Sequence, residues 1–447
     1  MKLRSEMSTL TRLAIPVAIA QLLTAAAGFV DTLMAGRAGV SDLAGVAVGS
    51  ALWLTVVIAP MGLFMAVNPI VGQYAGAKKF QEIGCFMHQA MRVAVVLSII
   101  LFILFRQHHW YLPFIIDDTQ VRMVTGHYLE GFSWGVPALM GTFLLRPYSE
   151  GLSFTRPHLI ASVISILINI PANYALIFGH WGAPKLGGAG AGWATSIAFW
   201  AAFVVMLFYS YRHQIYRKAT IWYRLKPINR EEMRHFFQLG LPIAMILFVE
   251  VSIFSLIALF LGVRPDFEIA SHQVAMNVAY LLFTFPLSIS VAVTIRVSNA
   301  VGALRRDKAL LAAKAALSLA IIAASFNIFI LIFFADFIPH IYSNDEVVVE
   351  LAAHLLIYAG LFQMADAFVV PNQAALRGYK DTKVPLVLAI FAYWLIALPL
   401  GYILGLTDII VPAMGAEGFW ISLVVGLVIS GVLMTKRLMK ISKVESP

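Results

Sequence analysis

Long apolar runs recur along almost the entire chain, and each is set against the thickness of a bilayer. The hydrocarbon core is about 30 Å thick and takes about 20 residues of helix to cross. Runs of that order fall near 13–36, 43–70, 85–105, 123–145, 157–180, 188–211, 236–263, 270–295, 315–335, 350–376, 384–406 and 415–435. A span in lipid has no water for its backbone, so it must satisfy its amides and carbonyls within a helix. The expected fold class is an all-α polytopic membrane protein with twelve transmembrane helices. Charge agrees: Asp, Glu, Lys and Arg make up only 12% of the chain, where a soluble domain carries about a quarter. Lys2 and Arg4 could open a signal peptide, but Glu6 and Arg12 follow and the next run is long enough to span. It reads as an uncleaved first helix.

The connecting charges set an orientation. Of the 32 Lys and Arg residues, 27 lie in alternate connections or the helix ends beside them, including Lys78, Lys79, Arg146, Arg156, the 212–234 segment and the C-terminal stretch. The other connections hold only Arg37, Arg106, Arg122, Lys185 and Arg264. By the positive-inside rule both termini are expected in the cytoplasm of a bacterial-type inner membrane. The net charge of +9 is thus topology and contact with anionic lipid, with nucleic acid excluded as a partner. The single cysteine, Cys85, allows no intrachain disulfide and no thiolate metal cluster.

The two halves repeat. Ala14-Ile15-Pro16-Val17-Ala18 matches Gly240-Leu241-Pro242-Ile243-Ala244 at an offset of 226, and Ala75-Gly76-Ala77 matches Val301-Gly302-Ala303 at the same offset. Gly151 with Thr155-Arg156 matches Gly378 with Thr382-Lys383 at 227, and Gly187 and Gly190 match Gly415 and Gly418 at 228. Six helices per copy is an even number, so both copies enter the membrane in the same sense. Two six-helix lobes related by a pseudo-twofold along the membrane normal are expected. The boundaries are 1–211 for the N-terminal lobe, 212–235 for a cytoplasmic linker and 236–447 for the C-terminal lobe.

Three carboxylates interrupt the apolar runs: Asp31, Glu250 and Asp366. A charged side chain at mid-bilayer costs roughly 2.5–3.5 kcal/mol on insertion scales, so such residues face a cavity or partner and serve transport. The repeat sharpens this, because their counterparts are Ile257, Thr24 and Leu139. The scaffold does not require a charge there. Glu250 lies roughly 20 Å along its helix from the cytoplasmic end, Asp366 is similarly deep, and Asp31 is shallower, near Arg37. A carboxylate kept from water can take a proton from one side and release it on the other, or release it when a cation arrives. Sodium needs several oxygens at once, which makes polar neighbours matter. Asn169, Asn173 and Thr195 are the candidate ion or substrate neighbours in the first half, and Gln273 and Asn277, four apart on one helix face, in the second. Arg92 can snorkel to the cytoplasmic surface, and His272 reads as a hydrogen-bonded structural residue. No metalloprotease, Walker-type or nucleophile-elbow motif is present, so the chain reads as a secondary active transporter and not an enzyme, with no cofactor beyond its coupling ion.

These residues together resemble the multidrug and toxic compound extrusion (MATE) family, in its NorM-like branch, over nearly the whole length. The resemblance rests on Gly28-Phe29-Val30-Asp31-Thr32, Asn169-Ile170-Pro171 with Asn173-Tyr174, Gly182-Ala183-Pro184, Leu186-Gly187-Gly188 and Ala194-Thr195. It continues in Phe248-Val249-Glu250-Val251, His272-Gln273 with Asn277, Leu376-Arg377-Gly378-Tyr379-Lys380-Asp381-Thr382 and Gly401-Tyr402-Ile403-Leu404. It implies a central cavity between two lobes and export of cationic, amphipathic drugs or dyes by antiport with Na+ or H+. Asp31, Glu250 and Asp366 would couple the cation, with Na+ held at Glu250 and Asp366 or at Asp31, Asn173 and Thr195. Phe362 departs from the resemblance, since close relatives often carry Tyr there; the lost phenol favours a proton over sodium. The protein is expected to act as a monomer.

Two rivals stand beside this reading. A flippase for lipid-linked saccharides would need a more cationic cavity than one embedded Arg92 supplies. An intramembrane enzyme using the three acids would form product without a gradient.

Overall fold

The computed structural model describes residues 2–219, 221–222 and 226–443; Arg224 of the expected basic linker lies outside the described residues. Among these there is no strand. The chain runs through α1 (Lys2–Ala38), α2 (Val40–Met65), α3 (Val67–Gly76), α4 (Phe80–Arg106), α5 (His108–Tyr111), α6 (Thr119–Ser133), α7 (Val136–Gly151), α8 (Arg156–Phe178) and α9 (Ala189–Arg212). It continues through α10 (Gln214–Arg217), α11 (Arg230–Leu261), α12 (Asp266–Gly302), α13 (Arg306–Phe333), α14 (Phe337–His340), α15 (Glu346–Gly378), α16 (Lys383–Ala389), α17 (Leu398–Leu406) and α18 (Ala416–Lys443). A π-helical segment, Ile390–Ala397, joins α16 to α17.

Eleven of the described helices are long and apolar enough to cross a membrane, counting α2 with α3 as one and α16 through α17 as one. The run expected as the fourth crossing is divided between α6 and α7, of 15 and 16 residues. The break falls at Trp134 and Gly135. Pro137 accounts for it: the residue has no N–H to offer the Ser133 carbonyl one turn back.

The chain forms two compact units. The first comprises Met1–Ala18 and Met245–Pro447, the second Ile19–Ala244. The divisions fall at equivalent places of the repeat, so α1 and α11 each give their first part to one unit and their second part to the other. In the first unit α13 buries Ala309, Ala312, Ala313, Ala316, Ala320 and Ala324 along one face. Lipid gives helices no hydrophobic reason to associate, and small residues let backbones approach closely enough for dispersion to do so. The second unit is built around larger rings, with Phe64, Phe86, Phe105, Phe132 and Phe236 all fully buried.

The repeat is visible atom by atom. Asp118 accepts from the Val121 amide at 2.9 Å and Asp345 from the Val347 amide at 3.0 Å, capping α6 and α15 alike. α3 ends with Lys78 in the left-handed region (φ 59°), and α12 with Leu304 (φ 58°). Both turns close with the same pair of bonds, Lys78 N to Ala75 O and Lys79 N to Tyr74 O, then Leu304 N to Val301 O and Arg305 N to Ala300 O. Ser153 and Lys380 form a second such pair, at φ 62° and 64°.

The matched glycines have a shared cause. Asp42 accepts from the Gly188 amide at 2.6 Å, and Glu268 from the Ala416 amide at 3.1 Å. Each acid thereby places negative charge at the start of the sixth helix of its repeat, where the helix dipole favours it. The preceding residues, Gly187 and Gly415, both sit at φ 59°. A Cβ on Gly187 would lie 2.6 Å from Asp42 Oδ1, and one on Gly415 would collide with the Glu268 carboxylate.

Candidate functional site

Asp31 is held in the second unit by three donors from two helices. Its Oδ1 accepts from Asn173 Nδ2 at 2.6 Å and from Asn169 Nδ2 at 3.1 Å, and its Oδ2 accepts from Thr195 Oγ1 at 2.9 Å. The four-residue spacing puts both asparagines on one face of α8, and Asn173 Nδ2 also reaches the Asn169 carbonyl at 3.1 Å. α9 contributes Thr195. All four side chains are buried, so the structure brings together the whole predicted set of the first half. Arg37 is exposed and makes no ion pair with Asp31. The side-chain Oδ1 atoms of Asn169 and Asn173 are buried without a hydrogen-bond partner, which leaves two neutral oxygens beside a carboxylate. Tyr128 adds a buried phenol within electrostatic reach of Asp31, held by Trp53 Nε1 at 3.2 Å.

The first unit treats its carboxylates differently. Glu250, on α11, accepts one hydrogen bond, from Gln373 Nε2 of α15 at 3.2 Å. Asp366 lies two helical turns before Gln373 on α15, is 4% exposed, and its Oδ2 has no partner. Glu250 is near enough for its charge to act on Asp366, and the Arg377 guanidinium acts on Glu250. Phe362, one turn before Asp366, is buried edge-on against Phe254 and Trp420 at centroid distances of 6.0 and 5.9 Å. Gln273 and Asn277 lie on the exposed face of α12, with no hydrogen bond to Glu250 or Asp366. His272 of the same helix is buried against Trp420, its Nδ1 unpaired.

The uncharged counterparts behave as the repeat requires. Ile257 and Leu139 are buried among apolar side chains, and Thr24 bonds back to the Ala20 carbonyl at 2.9 Å. The carboxylates are therefore additions to a scaffold that closes without them.

Several polar residues escaped the sequence reading. Gln373 bonds Glu250, yet it carries no charge to mark it. Glu150 is a further buried acid, at 4% exposure, accepting from Arg146 Nε at 2.9 Å and Asn68 Nδ2 at 3.2 Å. It lies beyond the fourth apolar run, between Arg146 and Arg156. Arg92 reaches the linker backbone: it donates to Gln89 Oε1 at 2.7 Å and to the carbonyls of Lys226 and Pro227. His88 joins it there, 2.7 Å from the Ile221 carbonyl.

Comparisons with known proteins bear on the family and the fold. The MatE family model matches residues 16–175 and 242–403, one match per repeat. The chain is 38% identical to a probable multidrug resistance protein NorM of Idiomarina loihiensis over 443 residues, covering 98% of this chain and 95% of that protein. It is 37% identical to the multidrug resistance protein MdtK of Yersinia pestis over 439 residues, covering 98% and 96%. Its fold is similar to the crystal structure of the eukaryotic MATE transporter AtDTX14, with a TM-score of 0.84, 22% identity and 98% and 96% of the two chains covered.

Proposed function

Because this chain belongs to the MatE family and is a NorM-like transporter within it, we propose that it exports organic cations and amphipathic drugs or dyes in exchange for inward Na+ or H+. Glu250 and Asp366 bind the coupling ion. Asp31, with Asn169, Asn173 and Thr195, forms a second carboxylate site that meets substrate charge or a further cation. The names of the two bacterial relatives support drugs as the substrate class. The distribution of basic residues supports insertion in the inner membrane with both termini in the cytoplasm.

The observation that carries the proposal is Asp366 Oδ2, a buried carboxylate oxygen with no hydrogen-bond partner. An ionised carboxylate in that position is costly. A proton or a metal cation removes the cost, and the empty site restores it. An ion therefore favours the conformation that encloses this pair, and its departure favours another, which is the differential affinity that alternating access requires. A drug cation competing for the same negative charge would be released as the ion enters.

The test uses the full chain in liposomes loaded with a fluorescent organic cation, with sodium and proton gradients imposed separately. One gradient should drive dye movement, and Glu250→Gln and Asp366→Asn should each abolish that dependence. Both variants moving dye with unchanged ion dependence would overturn the proposal.

A further inference from the structure

α12 runs unbroken over 37 residues although Pro286 stands within it. Proline has no N–H for the carbonyl four residues back, here that of Leu282, and its ring crowds that oxygen. In a bilayer the deprived carbonyl needs a donor from a neighbouring helix. Asn327 Nδ2 of α13 provides it, donating to Leu282 O at 3.3 Å and to Gln363 Oε1 of α15 at 3.3 Å. Gln363 Nε2 in turn donates to Ala279 O, one turn earlier on α12, at 3.0 Å. Asn327 is 1% exposed and Gln363 0%, where α12, α13 and α15 pack against one another. With its nitrogen facing two acceptors, Asn327 keeps its own Oδ1 buried and without a partner.

The second unit has the same proline without the amides. The repeat equivalents of Pro286, Asn327 and Gln363 are Pro60, Leu101 and Val136, and the last two are buried among apolar side chains. The scaffold thus packs beside this proline with hydrocarbon alone. The Asn–Gln pair stands only in the unit that holds Glu250 and Asp366, and Gln363 lies three residues before Asp366, within one turn of α15. α15 is continuous there, whereas its counterpart is interrupted at Trp134 and Gly135, just before Val136.

We infer that Asn327 and Gln363 form one clasp on the proline turn of α12 and are positioning residues for Asp366, fixing α15 against α12 in the conformation that encloses this acid. The inference rests on the reading of Asp366 as part of the coupling-ion site. Neither amide touches the ion. A ligand shifts an equilibrium only through interactions that differ between its states, so a clasp made in the enclosing conformation and opened in the other adds its strength to ion binding. The proline turn suits such a movement, because bends in helices concentrate where a bond of the ladder is missing. Two neutral amides open and close without leaving a bare charge behind.

The full chain in liposomes loaded with a fluorescent organic cation, driven by whichever ion gradient drives the wild type, provides the test. Asn327→Leu combined with Gln363→Val installs the side chains that the second unit carries. It should raise the ion concentration for half-maximal transport about tenfold, at about threefold for each interhelical amide bond lost. Gln363→Met keeps the length of the side chain and loses both of its bonds; it should give a rise of about threefold or more, and decides the matter alone if the double variant does not fold. Dye affinity measured without the ion should stay at the wild-type value in both. A lower Tm with a wild-type half-maximal ion concentration would make the amides a packing device and overturn the inference, and so would a loss of dye affinity in step with ion sensitivity. Either result, with Asp366→Asn still uncoupled, would leave the carboxylate reading standing. Wild-type ion dependence in Glu250→Gln and Asp366→Asn as well would overturn both.

Discussion

Asn173 holds Asp31 through a 2.6 Å hydrogen bond from Nδ2, while its own Oδ1 lies buried and unpaired. The same amide satisfies a carboxylate and leaves an oxygen free. Asp31 has three donors shared between its two oxygens, whereas Asp366 has an unpartnered oxygen. The two units carry the same scaffold with different hydrogen bonding around their acids, a difference that supports the proposed coupling-ion site in the first.

Removing the Asn173 donor should therefore cost more than an ordinary buried hydrogen bond. Asn173→Ala is expected to destabilise the protein by about 1.5–3 kcal/mol, the range for bonds to charged groups. In an Asp31→Asn background the same substitution should cost less than half as much, since the charge is gone. Thermal unfolding of the four proteins in detergent closes the cycle. Equal costs in both backgrounds would mean that the bond contributes nothing specific to the charge.

Ion binding should register as stability. At a free ion concentration a hundred times Kd, a ligand that binds only the folded state adds about 2.7 kcal/mol. Titrating the coupling ion into the purified protein should raise its Tm progressively, and Asp366→Asn should flatten that response. Asp366→Asn should also unfold later than the wild type in the absence of the ion, because a buried neutral amide is cheaper than a buried unpaired carboxylate. An equal ion response in both proteins would argue for another site.

Two substitutions at left-handed positions beside helices should have opposite signs. Gly415→Ala places a Cβ against Glu268 in a left-handed backbone, and the conformation alone costs about 1–2 kcal/mol for an L-residue. Leu304→Gly removes the same backbone penalty from an exposed position at φ 58° and is expected to gain about 1 kcal/mol. Denaturation midpoints of the two variants, bracketing the wild type, are the check.

Alkali should loosen the linker. Tyr216 of α10 is buried against Tyr148, with its hydroxyl 2.6 Å from Ser149 Oγ. Burial pushes its phenol up to about 12. The unfolded phenol ionises first, near 10, so this contribution to stability is complete below pH 10 and is lost as the pH rises towards 12. Tyr216→Phe should show a shallower fall in stability over that window, measured by thermal melts at stepped pH.

The helices and the three acids were legible because both signals are local. Charge inside an apolar run announces itself, and so does the length of the run. What could not be read is set by partners distant in sequence. Gln373 gains meaning only from Glu250, 123 residues away, and Ile390–Ala397 is apolar enough to pass for any spanning helix. The break between α6 and α7 was hidden for the opposite reason: hydropathy continues through Trp134 and Gly135, while the fault lies in one missing amide at Pro137. Gln273 and Asn277 share a face, as their spacing requires, but spacing does not say which way that face points. The glycines of the repeat were visible without their cause, since Asp42 and Glu268 differ in length and sit far from the residues they cap.

The division of α1 and α11 between units bears on how such a chain could have arisen and how it must be synthesised. Each copy of the duplicated sequence donates the opening half of its first helix to the unit built mainly from the other copy. A single copy of the repeat could complete such a unit only by trading that segment with a second molecule. On the ribosome the same dependence persists. Ile19–Ala244 receives its last segment only when α11 has emerged, and the residues before Ile19 wait for the second half of the chain to be made.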